Sequence, residues 1–482
     1  MSRAGFFSRF MRPVDLTQGT PWRVILRYAA PIMFSYLLQQ IYTMTDAIIC
    51  GQVLSAAEVA GVNDTGPLSF LFLQFAFGCT AGFSVITANF AGRGDGAGVR
   101  RSFAAQFYLS LIISGVLTVL SLLLLPWLLS LLNLTPEHAD VYTAAYRYCF
   151  VLFLGIFAQM AYNGVCGILR AYGDSVTPLL FLVISTALNI GLDILFLVPF
   201  RMGPAGAAAA TVLAQFISVI GCLIYTFCKY PELRLRRADM RAGVSAMGMH
   251  LAQGIPLGLQ FSVLAVGIIV MQGAVVAFDI GADGAMLAGA PAQNGYGAAC
   301  RLVNFLMASF NGLGAGILGY NAQNYGRGDS ARIRRGTRQA LVIMAIISLL
   351  CLLLGLSFSM DGGYQYVFLS ADKVSAESIR YGNTYLYVAL IFYIILGFLI
   401  VVRSAVQGIS RTGYVLGAGL AELVARIVIC SALPPLFNGG PVNASASQAA
   451  FIAVCFGDPG AWLCASLLLL VPLFRYIEKE DL

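Results

Sequence analysis

Long apolar runs alternate along this chain with short polar clusters. Twelve such runs stand out, near residues 24–50, 60–91, 103–132, 141–167, 175–199, 205–229, 250–278, 295–321, 337–358, 379–404, 412–436 and 450–474. Crossing the hydrocarbon core of a bilayer takes about 20 mainly apolar residues in helical form, and each run is at least that long. None shows the alternation over about ten residues that marks a membrane strand, and a backbone in lipid must satisfy its own hydrogen bonds. The pattern therefore predicts an all-α polytopic membrane protein with twelve transmembrane helices.

The polar clusters between the runs are unequal. With both termini placed on the cytoplasmic side, the inner segments collect twenty-three basic residues, from Arg3, Arg9 and Arg12 to Arg475 and Lys479. The outer segments hold four: Arg147, Arg201, Lys373 and Arg380. Such a bias follows the positive-inside rule. It also checks the span count, because one missed helix would scramble the alternation.

An internal repeat divides the chain. Gly92-Arg93-Gly94-Asp95 returns as Gly326-Arg327-Gly328-Asp329, and Arg100-Arg101 returns as Arg334-Arg335, each after the second span of its half. Pro31 in the first span likewise corresponds to Pro256 in the seventh. Two six-helix halves with an even span count share one orientation and are related by an axis along the membrane normal, a transporter plan with the substrate path between halves. The reading is an N-lobe over 1–229, a linker over 230–249 and a C-lobe over 250–482.

Composition narrows the function. Only 11% of the 482 residues are charged and 59% are hydrophobic, with a mean hydropathy of +0.82. Soluble domains average about 25% charged residues. The net charge of +7 is spread among the loops, so it sets topology and does not form a nucleic-acid surface. The eleven cysteines sit mostly in apolar runs without a Cys-x-x-Cys pair and read as packing residues. None of the three lysines, Lys229, Lys373 and Lys479, is followed by Ser or Thr, so no phosphate-cradling loop for ATP is present. Gly314-Ala315-Gly316-Ile317-Leu318-Gly319 matches a dinucleotide fingerprint but lies inside the eighth span, where close helix packing explains it. His138 and His250 are too far apart for a metal pair. With no catalytic constellation or cofactor motif, the chain is expected to be no enzyme and to draw on an ion gradient.

Charges inside a bilayer cost at least ~2.5–3.5 kcal/mol at a helix centre on insertion scales, so the exceptions carry the information. Asp46 lies in the outer part of the first span, and Asp193 in the outer part of the fifth, one turn after Asn189. Thr211 falls at the same depth in the sixth. These four side chains could meet, and acids in a low-dielectric site can exchange protons or, when ionised, hold Na⁺. The alternative is structural: Asp46 capping a helix end and Asp193 bonding a neighbour. Glu422 and Arg426, spaced i,i+4 in the eleventh span, read as a mutually neutralised pair or as a gating element. Arg301 in the eighth span has no evident local partner. Pro31 should bend the first helix, as a hinge or a static kink.

These segments taken together resemble the multidrug and toxic compound extrusion (MATE) family. The matching stretches are Ala30-Pro31-Ile32-Met33, Thr45-Asp46-Ala47-Ile48-Ile49-Cys50-Gly51, the duplicated Gly-Arg-Gly-Asp, Arg170-Ala171-Tyr172-Gly173-Asp174-Ser175 and Asn189-Ile190-Gly191-Leu192-Asp193. The resemblance implies two six-helix lobes in a V, with alternating access driven by H⁺ or Na⁺. One branch, typified by NorM, uses acids in the seventh and tenth spans, and both spans here lack Asp and Glu. The DinF-like and MepA-like branch uses an Asp on the first helix, Asn and Asp on the fifth and a Thr on the sixth. Asp46, Asn189, Asp193 and Thr211 match those positions, and Pro31 matches the first-helix proline proposed to bend on protonation.

The expectation is a bacterial or archaeal inner-membrane antiporter, monomeric, exporting amphipathic cationic molecules in exchange for H⁺ or Na⁺, without cofactor, ATP or nucleic acid. The runner-up is a flippase for a lipid-linked saccharide or an endogenous metabolite, a larger plan that usually has fourteen spans and a basic central cavity.

Overall fold

A computed structural model describes residues 12–132, 134, 139–369 and 374–479. Arg3, Arg9, His138 and Lys373 lie outside the described residues. Seventeen α-helices are present among the described residues, and they assemble into the twelve expected rods. In the N-lobe, α1 (Pro21–Val53) is the first rod. The second is α2 (Ala56–Asp64) continued by α3 (Gly66–Gly92), and α4 (Gly96–Leu131) is the third. The fourth is α5 (Ala139–Leu154) joined to α6 (Ile156–Ala171) through a 45° bend. Helices α7 (Val176–Leu197) and α8 (Pro204–Lys229) complete the lobe.

The C-lobe repeats the plan with α9 (Arg237–Val276), α10 (Pro291–Arg327) and α11 (Ser330–Ser359). After the short α12 (Gly363–Phe368), α13 (Ala376–Ile391) and α14 (Tyr393–Gly408) form one rod bent by 54°. The chain ends with α15 (Thr412–Asn438) and the pair α16 (Gln448–Cys455) and α17 (Gly457–Pro472). Eleven of the twelve rods are apolar enough to cross a membrane if each bent pair counts as one. The twelfth, α1, falls short because it carries Gln39, Gln40, Tyr42, Thr43, Thr45 and Asp46 in its second half. The segment read as a basic loop is helical from Arg237 onward, and Asp239 ties its first turn to Arg100 of α4 at 3.1 Å.

The duplicated Gly-Arg-Gly-Asp is a helix–helix corner. Gly94 (φ 72°) and Gly328 (φ 79°) take the left-handed backbone conformation that ends a helix, where a Cβ would be strained. Asp95 and Asp329 then cap the next helix by accepting from the N–H of Gly98 (2.8 Å) and Arg332 (2.9 Å). The other glycines of the motif serve the contact between lobes. A Cβ on Gly92 would lie 1.9 Å from the Gln323 carbonyl oxygen, and one on Gly326 would lie 2.0 Å from that of Asn89. Asn89 and Gly92 occupy the repeat positions of Gln323 and Gly326, so the two close approaches are symmetry mates.

The lobes are joined by the pairs α3–α9, α1–α10, α4–α9 and α3–α10. The first two exchange under the repeat. Small residues four apart let these backbones touch: Gly78 and Gly82 meet Leu257 and Gln253, and Gly312 and Gly316 meet Met33 and Ala29. Gly314 and Gly319, the fingerprint decoy, pack against α14 and Tyr28. Across the α4–α9 contact, fully buried His250 and Ser102 share a 2.7 Å hydrogen bond, with Thr87 bonded in turn to Ser102. These contacts run inward from the end bearing the basic loops, where Gly92 and Gly326 cross. Among the described residues, the hydrogen bond between lobes farthest from that end runs from Ser262 Oγ to the Leu71 carbonyl (3.3 Å). The seam between the lobes thus extends from the Gly92–Gly326 crossing at the basic end to Leu71, near the opposite end of α3. Gly92→Ala is expected to prise the basic end apart, because the atoms in its way are backbone. Thermal unfolding should show a loss of about 1–3 kcal/mol, the range for overpacking, while Gly94→Ala should leave the seam intact and act through backbone strain alone.

Candidate functional site

The polar half of α1 meets α7 and α8 inside the N-lobe. Asn189 and Asp193 are one turn apart on α7 and both are buried. Asp46 of α1 is half-buried and close enough to Asp193 for their carboxyls to interact directly. Thr211 of α8 accepts a hydrogen bond from Asn189 Nδ2 at 3.4 Å and shares another with the Tyr42 hydroxyl at 3.3 Å. All four residues singled out from the sequence therefore converge. The fifth member, Tyr42, was missed. Its signal was its place one turn before Asp46, on the same face of α1.

Neither oxygen of Asp193 accepts a hydrogen bond, and neither do Oδ1 of Asp46 and Oδ1 of Asn189. No ion pair reaches either carboxyl among the described residues. Buried acceptors without donors are costly. Two carboxyls facing each other have only acceptor atoms when ionised. A proton or a cation between them would satisfy these acceptors, and the oxygen-only donor set fits a hard monovalent ion as well as a proton. Pro31, three turns before Tyr42 on the same helix, is buried, and its carbonyl accepts from Ser35 Oγ at 2.9 Å. Helix α1 runs unbroken through Pro31.

The C-lobe treats its buried acids oppositely. Glu422 is ion-paired with Arg403 of α14 and lies 4.0 Å from Arg426. Arg426 also pairs with Asp458 of α17, through Nη2 at 2.7 Å and Nε at 3.1 Å. The Tyr385 hydroxyl donates to Asp458 at 2.8 Å. The supposed two-residue pair is thus part of a neutral chain of four charges, and its partners, Arg403 and Asp458, come from two further helices that sequence spacing does not connect. Asp458 was legible as an acid within an apolar run but was passed over. Arg301, unexplained from sequence, donates to the Phe368 carbonyl at 3.0 Å. It closes the C-terminal end of α12, where a cation suits the helix dipole.

The fold and this site define a polytopic helical membrane protein of two repeated lobes, with an acidic site buried in one of them. The MatE family model matches residues 31–195 and 284–431, and the chain belongs to that family. It is 28% identical over 323 residues to the "Probable multidrug resistance protein YpnP" of Bacillus subtilis (strain 168), covering 67% of this chain and 69% of that protein. It is 25% identical over 361 residues to "DNA damage-inducible protein F" of Escherichia coli (strain K12), covering 73% and 75%. Its fold matches the "outward-facing conformation of a multidrug resistance MATE family transporter" with a TM-score of 0.81 and 20% identity, covering 97% of this chain and 99% of the other.

Proposed function

We propose that the chain is a multidrug exporter of a prokaryotic inner membrane. It exchanges amphipathic, cationic small molecules for H⁺ or Na⁺, with both termini cytoplasmic. The observation that carries the reading is the contrast between lobes. The C-lobe acids Glu422 and Asp458 are each held by an arginine, whereas Asp46 and Asp193 face one another with acceptor oxygens that no protein donor reaches among the described residues. An ion can shift the equilibrium between lobe arrangements only by binding one more tightly than the other. A carboxyl pair whose distance depends on α1 relative to α7 supplies that difference, and neutralising it removes the charge that a cationic substrate would pair with. The names of the relatives support drug-like substrates.

The test is efflux of a fluorescent cation from proteoliposomes, with proton and sodium gradients imposed separately. Efflux driven by one gradient is expected and names the coupling ion. No response to either, across several dyes, would overturn antiport and favour the flippase alternative.

A further inference from the structure

The segment before α1 is tied to both lobes at the end where they meet. From the C-lobe side, Arg332 donates to the carbonyls of Leu16 (Nε 3.3 Å, Nη2 3.1 Å), Gln18 (2.8 Å) and Gly19 (2.7 Å). Asn324 Nδ2 donates to the Leu16 carbonyl at 3.1 Å, and Arg327 donates to Thr17 Oγ1 at 2.9 Å. The Leu16 side chain is fully buried and belongs to the C-lobe core. On the N-lobe side, among the described residues, the tie is a single hydrogen bond, from the Val14 N–H to the Gly173 carbonyl at 2.9 Å. Gly173 has φ 90°, and a Cβ there would lie 2.3 Å from the Val14 carbonyl oxygen. Between strap and lobes lies an open pocket of about 780 Å³, lined by Val14, Thr17, Gly92, Arg93, Gly326 and Arg327 among others, so the strap borders the place where Gly92 and Gly326 cross.

We propose that residues 13–19 are a latch, anchored on the C-lobe by Arg332 and caught on the N-lobe at Gly173, that holds the basic end of the seam shut. The proposal rests on the alternating-access reading, since only a seam that opens needs a catch. The asymmetry decides which tie gives way. Among the described residues, six hydrogen bonds and a buried leucine hold residues 13–19 to the C-lobe, against one hydrogen bond to the N-lobe beyond the covalent run into α1 at Pro21. Opening the seam therefore breaks the Val14–Gly173 tie and swings the strap with the C-lobe about its junction with α1 at Thr20, widening the pocket.

The test is hydrogen–deuterium exchange on the purified full-length protein in lipid nanodiscs, comparing wild type with Val14→Pro and Arg332→Ala. Val14→Pro removes the donor of the catch and leaves the Arg332 anchor alone. Arg332→Ala frees the strap. The latch predicts faster exchange in segments 86–95 and 320–328, by about fivefold for the loss of one hydrogen bond and more for Arg332→Ala. Exchange around Glu422 and Arg426 should stay at the wild-type rate, which guards against general unfolding. Faster exchange confined to residues 13–19, with the two seam segments unchanged in both variants, would overturn the latch. Dye efflux measured on the same preparations separates the two readings. Wild type that transports while the seam ignores strap release sinks the latch alone. A seam that responds in a protein that moves no dye sinks the transport reading alone.

Discussion

Asp193→Asn is expected to abolish gradient-driven efflux while leaving the protein folded. The amide is nearly isosteric with the carboxyl, so packing of α7 against α1 and α8 is undisturbed. It also brings a donor to a place where Asp46 Oδ1 has none, so the folded state loses an unsatisfied contact and gains a charge-assisted hydrogen bond, a net effect of about 1.5–3 kcal/mol in favour of the fold. Thermal unfolding should therefore occur at the same or a higher temperature than in wild type. Coupling is lost for a different reason. An amide does not bind and release a proton in the physiological range and holds no cation by charge, so ion entry no longer distinguishes the two lobe arrangements. A ligand with equal affinity for both shifts neither. Unimpaired gradient-driven efflux in this variant would remove Asp193 from the coupling site.

The largest effect on stability is expected from Arg426→Ala. Arg426 is buried and faces both Glu422 and Asp458. Its removal leaves Glu422 with Arg403 but, among the described residues, leaves Asp458 with only the Tyr385 hydroxyl. Stranding a buried charge by deleting one partner costs about 3–5 kcal/mol, enough to lower the folded yield sharply. Adding Asp458→Asn in the same chain neutralises the stranded acid and should recover part of that loss. Detergent-solubilised folded fraction after heating reads both. A double variant no more stable than the single one would show that Asp458 is not what Arg426 compensates. Gly267 belongs to the same prediction, because a Cβ there would lie 2.3 Å from Arg426 Nη1.

How far the sequence shows all this depends on what each feature encodes. Twelve rods follow from run length alone, since lipid demands apolar helices of a fixed span. Even so, the breaks at Thr65, Gly155 and Phe392 are invisible to hydropathy, because a kinked apolar helix is as apolar as a straight one. The first rod is the instructive exception. Its polar second half fails a membrane-span test because it is the half that builds the Asp46 site. Asp46, Asn189, Asp193 and Thr211 could be matched in depth because helices crossing one slab share a common ruler. The C-lobe chain of charges was not legible in that way. Arg403, Glu422 and Asp458 come from different rods, and which faces meet is set by packing between helices. Tyr42 and Asp458 were within reach of the spacing and buried-charge rules applied to their neighbours.

The strap and the paired Gly92 and Gly326 crossings give the repeat a physical meaning. The duplicated motif turns each lobe's corner with one glycine, caps the next helix with its aspartate and lets the lobes touch with the other glycine. The same residues that made the repeat visible thus bring the lobes into contact at the basic end.

The most direct measurement of the central claim is reciprocal flux. Proteoliposomes would be given an outward gradient of a fluorescent cation and no ion gradient, and luminal pH and ²²Na⁺ would be followed as the dye leaves. Coupling through Asp46 and Asp193 predicts that downhill dye movement drives one of the two ions the opposite way. It also predicts that Asp193→Asn still lets dye cross but moves neither ion. Dye movement without ion flux in wild type, or ion flux that survives Asp193→Asn, would contradict it.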